Sequence, residues 1–364
     1  MKRESVFRVL VLFLSIALLM ACAPKATPTP TPTPRPPTPA PTQPPPTLAP
    51  TQPPPTPKPS GVIQLYTSES EDKVNEMVAD FQQVYPDITV NVFRSGTGEV
   101  TAKLQAEMQA GEINADVIWF ADIDFFKRLG DEDRLLAYDP VGGERAPSIY
   151  HYEGGKYHEV RLIFNVVAYN TSLVTEPPTG WMDLADPKYK GKVAMPSPFY
   201  SGAAFSHVGT FANLPGFGWE YYQKLKENDA KVERSNGTVS QKLAAGEYAV
   251  VQVVDFMIRD LKSQGSTVDH IWPVEGALLV PTPIGIIKTT KNVAAAKAFL
   301  DYMYTDRAQK LFVKQGYIAV LPDVPPPQGT PDLSKLKVIQ VDQVYINAHR
   351  EEIRSKFAEL FGGA

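Results

Sequence analysis

The chain has 364 residues, a formal net charge of -4 and a single cysteine. So mild an acidity, without a basic stripe or an aromatic-basic repeat, argues against nucleic acid as a partner. One thiol excludes any disulfide within the chain.

Lys2 and Arg3 precede an apolar run over residues 6–20 that is too short, and too broken by Arg8, for a membrane span. Residues 1–22 read as a signal peptide. The run ends in Leu19, Met20, Ala21, Cys22, which resembles the bacterial lipobox, so Cys22 is the expected site of lipid attachment and the mature N-terminus. Residues 23–60 are a Pro/Thr tract with almost no apolar residue to build a core. Proline favours polyproline II, so this tether has a reach on the order of 100 Å at about 3.1 Å per residue. The expected place is therefore the outer face of a cell membrane, held by an N-terminal lipid.

The remaining 300 or so residues suffice for two lobes of about 100 to 150 residues each. Residues 62–66 form an apolar strand, and Val74, Met77, Val78 and Phe81 follow at helical spacing until Pro86. A strand at 88–93, a small-residue loop at 95–98, a helix marked by Val100, Leu104 and Met108, and a strand at 117–120 repeat the pattern. Strand, loop and helix in repetition predict a mainly parallel sheet flanked by helices. A second block follows, with strands at 162–169, 192–195, 231–233 and 248–254. Its helices are expected at 181–184, 218–226, 239–245 and 256–263. A strand at 284–287 and helices at 293–304 and 307–314 return to the first block. The expected division is lobe 1 at 61–165, lobe 2 at 166–278, the return at 279–330, and a helical tail at 331–364.

Enzymatic motifs are absent from the sequence. The five histidines show no i,i+4 zinc pairing, and neither a Walker loop, a nucleophile elbow nor a dinucleotide fingerprint is present. Neither catalytic residues nor a cofactor is expected. The acidic group Asp122, Asp124, Asp131, Glu132 and Asp133 lacks the spacing of a calcium loop and reads as a solvated helix end, so no metal site is expected.

The segments 63–68, 93–98, 115–122, 201–205, 245–248 and 317–322 together resemble the ferric-iron-binding group of importer solute-binding proteins, which also holds binders of phosphonates and sugar phosphates. The resemblance covers residues 61 to about 327. It implies a two-lobed type II periplasmic-binding-protein fold with crossing hinge strands. It further implies a ligand in the cleft and an ABC permease and ATPase as partners; the chain itself is expected to be a monomer. Iron binders of the group place two tyrosines where Phe256 and Met257 stand here, and these two offer a hard ion almost nothing. The group's anion site is matched better. Ser201, Gly202, Ala203 and Asn236 fall on it, with Asp255 in place of an asparagine.

Thr67 with Ser68, and Ser95 with Gly96 and Thr97, are further small-residue loops before helices, where unpaired N–H groups cradle anions. Taken singly, each reads as an ordinary N-cap worth about 1 kcal/mol; together, because the resemblance places them in the cleft, they read as a ligand site. Asp255 is a candidate counter-charge for a ligand ammonium. Trp119, Tyr200 and Phe256 are candidate apolar walls, and Arg161 a candidate partner for an anion or for an interlobe carboxylate. The expected cargo is a small phosphate- or phosphonate-bearing organic anion. Ferric iron, chelated or anion-assisted, is the alternative, and a surface sensor or adhesin on the same fold is a third reading.

Overall fold

The computed structural model describes residues 58–363. The expectations for Cys22, the signal peptide and nearly all of the tether lie outside them. In chain order the first lobe begins with β1 (Gly61–Thr67), α1 (Glu71–Val84), β2 (Ile88–Arg94), α2 (Thr97–Ala110), β3 (Val117–Trp119) and α3 (Ile123–Asp131). Ile63 and Leu65 of β1 and the helical row Val74, Met77, Phe81 are all sealed from solvent. The apolar spacing in the sequence therefore becomes the seam between sheet and helix. Short strands β4 (His151–Tyr152), β5 (Tyr157–His158) and β6 (Arg161–Leu162) then lead into β7 (Phe164–Asn170), the first strand of the other lobe.

That second lobe continues with β8 (Val193–Pro196), α4 (Gly202–Ala212), α5 (Gly218–Glu227), β9 (Lys231–Glu233), α6 (Asn236–Ala244), β10 (Val250–Val254), α7 (Asp255–Ser263) and β11 (Val268–Ile271). The chain comes back through β12 (Leu278–Leu279) to β13 (Ile284–Ile286), α8 (Val293–Met303), α9 (Asp306–Lys314) and β14 (Ile318–Ala319), and ends in α10 (Gln343–Ala348) and α11 (Arg350–Phe361).

One sheet has the order β2-β1-β3-β13-β5-β4 and the other β11-β7-β10-β8-β9, with β12 beside β7. β1 runs parallel to β2 and β3, and β10 parallel to β8. The strands that carry the chain between lobes, β7 and β13, run antiparallel to their neighbours. An extended connection enters the next sheet without the helical crossover that a parallel pairing requires. The two crossings lie side by side: Val280 N donates to Ile163 O at 3.0 Å. They form the hinge.

In the tail, helix begins only at Gln343, not at 333. Residues 337–339 are instead held extended, with Ala277 N donating to Lys337 O and Ile339 N to Ala277 O, both at 2.9 Å. Satisfied pairing with a neighbouring segment outcompetes the local helical pattern.

Candidate functional site between the lobes

The N-termini of α1, α2, α4 and α6 converge on one cavity of about 340 Å³ between the lobes. Their N-caps are Ser70, Gly96, Ser201 and Ser235. Each end presents backbone N–H groups without helical partners and a partial positive charge, so the cavity suits an anion. On the second lobe, Ser201 Oγ accepts from Ala204 N at 3.2 Å and from Asn236 Nδ2 at 2.8 Å, which ties α4 to α6. Asn236 Oδ1 is buried without a partner among the described residues, as is Arg161 Nε, and both residues line the cavity.

The first lobe contributes Arg94, which lies at the end of β2. Its Nε donates to Glu69 O at 2.7 Å and its Nη1 to Tyr200 Oη at 3.2 Å, so the guanidinium is held at the wall without a carboxylate partner among the described ion pairs. Beneath it, Arg161 is paired with Glu69 and donates to Thr282 Oγ1 at 3.0 Å. The guanidinium also lies 4.2 Å from the centre of the Tyr317 ring. Tyr317 Oη donates to Glu69 Oε2 at 3.1 Å. The hinge thus carries a buried charged network in which both terminal nitrogens of Arg161 and the Tyr317 hydroxyl are directed at Glu69 or Thr282. On its other side Glu159 accepts from Thr282 N at 3.0 Å, and burial pushes its carboxyl up to about 8.

Ser68, Gly96, Thr97, Tyr200 and Phe256 line the cavity, as do Ser201, Gly202, Ala203 and Asn236. Four other candidates do not. Trp119 is 1% exposed and packs edge-on to Phe312 of α9 in the core, because β3 lies inside its sheet between β1 and β13. Thr67 is wholly buried, its hydroxyl donating to Trp119 O at 2.7 Å. Ser95 points to the rim, where its hydroxyl binds Glu99.

Asp255 is wholly buried, pairs with Arg259 and accepts from Phe164 N at 2.9 Å. A carboxylate so engaged is unavailable as a ligand counter-charge. The acids that do line the cavity from α1 are Glu71 and Asp72, both exposed. Arg161, weighed as a partner for either an anion or a carboxylate, has taken the carboxylate. Arg94 was missed altogether. A charged residue closing an alternating strand just before a small-residue loop was the signal available for it.

The lobes touch directly at the rim. Gly98 N donates to Tyr200 O at 3.4 Å, Arg234 pairs with Glu99 at 2.9 Å, and the Arg234 guanidinium covers the Tyr200 ring at 4.4 Å. Three glycines make this approach possible. A Cβ on Gly202 would lie 1.9 Å from Ala121 O, one on Gly98 2.2 Å from Phe199 O, and one on Gly96 2.5 Å from the Tyr200 ring.

Residues 76–338 match the family described as bacterial extracellular solute-binding protein. A Salmonella paratyphi A protein provisionally named as a 2-aminoethylphosphonate-binding periplasmic protein is 25% identical over 235 residues, covering 61% of this chain and 66% of the relative. Iron uptake protein A1 of Synechocystis is 24% identical over 282 residues, 72% of this chain and 77% of its own. Among solved structures, the periplasmic binding protein AfuA from Actinobacillus pleuropneumoniae, with fructose-6-phosphate bound, superposes with a TM-score of 0.74. It is 25% identical, and the match covers 84% of this chain and 100% of that one. With its two lobes, crossing strands and cleft, the chain belongs to the bacterial extracellular solute-binding proteins, the solute-capturing components of ABC importers.

Proposed function

We propose that the cavity captures a small organic anion bearing a phosphate or phosphonate group and that closure of the lobes delivers it to a permease. The observation that supports this most is the convergence of four helix N-termini and Arg94 on one small cavity. The anion would lie against the amides that open α4 and α6, beside Asn236, with Arg94 reaching it from the opposite lobe. Ligand contacts on both lobes then favour the closed form by differential affinity, and no chemical step is needed.

An aminoalkyl phosphonate, the ligand type in the name of one relative, fits the distribution of charge. Glu71 and Asp72 would face its ammonium, in the role the sequence suggested for Asp255. Phe256 and Met257 line the wall where a ferric ion would need hard oxygen donors, so iron is the less favoured cargo. Upstream, Cys22 would hold the protein on the membrane through its lipid, and the Pro/Thr tether would let a monomeric body reach the permease, which an ATPase drives.

Titration calorimetry of the full-length protein against 2-aminoethylphosphonate, fructose-6-phosphate, inorganic phosphate and ferric citrate tests the reading. An organic phosphate or phosphonate is expected to bind with one site per chain. Asn236→Asp, which sets a negative charge beside the anion, is expected to weaken it by at least about tenfold. Saturable binding of ferric citrate alone would overturn the assignment. Membrane fractionation checks the anchor, since Cys22→Ser is expected to release the protein from the membrane pellet.

A further inference from the structure

We infer that the C-terminal arm α10–α11 belongs to the closing machinery, with Arg350 a positioning residue that draws lobe 1 onto lobe 2 through Asp122 and Asp124. This rests on the reading that the lobes open and close around a solute.

The arm is built into lobe 2. Ile346, Ile353 and Phe357 are buried in that lobe's core cluster with Phe205 and Phe211 of α4 and Tyr222 of α5. It sits so near α4 that a Cβ on Gly209 would meet the Ile346 side chain at 2.9 Å. Toward lobe 1, however, the arm presents hydrogen-bonding and charged groups. Arg350 Nη1 donates to Asp122 Oδ2 at 3.0 Å and Nη2 to Asp122 Oδ1 at 2.9 Å, a two-pronged pairing. Nη2 also reaches Asp124 Oδ2 at 3.3 Å, and Gln343 Nε2 donates to the same oxygen at 2.6 Å.

The guanidinium is stacked 4.7 Å from the centre of the Phe205 ring, so its fork is fixed by lobe 2 before lobe 1 arrives. Side-chain exposure is 24% for Arg350, 11% for Asp122 and 6% for Asp124, low enough that water screens the group only in part. Burial raises the Asp124 carboxyl above its usual range, as expected of an acid covered by the opposite lobe.

The location links the latch to the ligand. Asp122 caps α3, its Oδ1 accepting from Phe125 N at 3.1 Å. The preceding residue, Ala121, lines the cavity, and its carbonyl is the atom against which Gly202 closes. When the lobes part, the carboxylates leave a guanidinium that stays with lobe 2. A polar, reversible contact of this kind favours closure without sealing the lobes as an apolar interface would.

The test reads lobe separation directly. Spin labels on Glu112→Cys and Lys226→Cys, both exposed and on opposite lobes, report the interlobe distance in the full-length chain carrying Cys22→Ser. Distances are measured without ligand and with inorganic phosphate, alongside melting curves. Arg350→Ala is expected to move the distribution toward longer distances, with roughly a tenfold loss of the closed fraction, and Arg350→Lys to fall between the two. Asp122→Asn, which keeps the capping oxygen but not the charge, is expected to open the protein equally, and the double variant no further than either single one.

An unchanged distance distribution in Arg350→Ala overturns the inference. If Arg350→Ala also lowers the melting temperature, Asp122→Asn decides, because it leaves the arm intact: opening supports the latch and no opening overturns it. A wrong ligand assignment would show instead as a wild-type protein whose distances ignore phosphate, while the effect of Arg350 on the unliganded distribution remains.

Discussion

Gly202→Ala offers a clean separation of closure from folding. Gly202 opens α4, and it has no left-handed backbone that would require glycine. Within lobe 2 alone the alanine should be neutral or stabilising, by about 0.5–1 kcal/mol on helix propensity. Across the cleft the same methyl carbon meets Ala121 O at 1.9 Å, and that oxygen is backbone, unable to swing aside. Restoring ordinary contact near 3.4 Å requires a retreat of about 1.5 Å at that point, which the hinge supplies more easily than the lobes do.

If the closed form loses about 1–3 kcal/mol, the usual range for overpacking, the apparent affinity for ligand falls about 5- to 150-fold. Calorimetry on the full-length variant measures that loss, and thermal melting without ligand measures the fold. Wild-type affinity at unchanged melting temperature would refute the claim that the cavity works by closing on its ligand.

Stability should pass through a maximum near pH 6.5. Glu159 is raised to about 8, so the folded state holds a proton there that the unfolded state, near 4.5, has released, and stability is lost as pH rises through 8. Burial lowers His207 to about 3, and burial with the neighbouring charge of His151 or Arg259 lowers His158 and His270 to about 4. These three stabilise above their unfolded value of 6.5, and that contribution is lost as pH falls toward 4. Each group contributes a slope of up to about 1.4 kcal/mol per pH unit. Denaturant melts from pH 5 to 9 check the shape, and Glu159→Gln is expected to flatten the alkaline limb and steepen the acid one, because Glu159 opposes the histidines between about 4.5 and 6.5. Asp255→Asn would leave Arg259 buried without its partner and is expected to cost about 3 kcal/mol. It should weaken aminated and non-aminated ligands alike, and a selective loss of the aminated one would return Asp255 to the site.

Periodicity carried much of this fold. The row Val74, Met77, Val78, Phe81 marks a helix because each member faces the same sheet, and that relation is local. Ser201 and Asn236 came instead from the resemblance to the family's anion site, and both line the cavity where a parallel α/β layer presents amides.

What remained hidden depended on partners far along the chain. The acids Asp122 and Asp124 look like a solvated helix end until Arg350, 228 positions beyond Asp122, covers them. Arg161 finds Glu69 92 positions earlier, and Asp255 turns inward to the first residue of β7. A strand-end aspartate or tryptophan has the same local pattern whether it faces cleft or core. Only the assembled sheet separated Trp119 and Asp255 from the cavity wall.

The most direct measurement is a crystal structure of the full-length protein grown with the tightest binder of the titration panel. The lobes are expected to be closed, with phosphate or phosphonate oxygens against the amides that open α4 and α6, in reach of Asn236 and Arg94. An occupied cavity holding a bare ferric ion, or a ligand bound elsewhere on the surface, would contradict it.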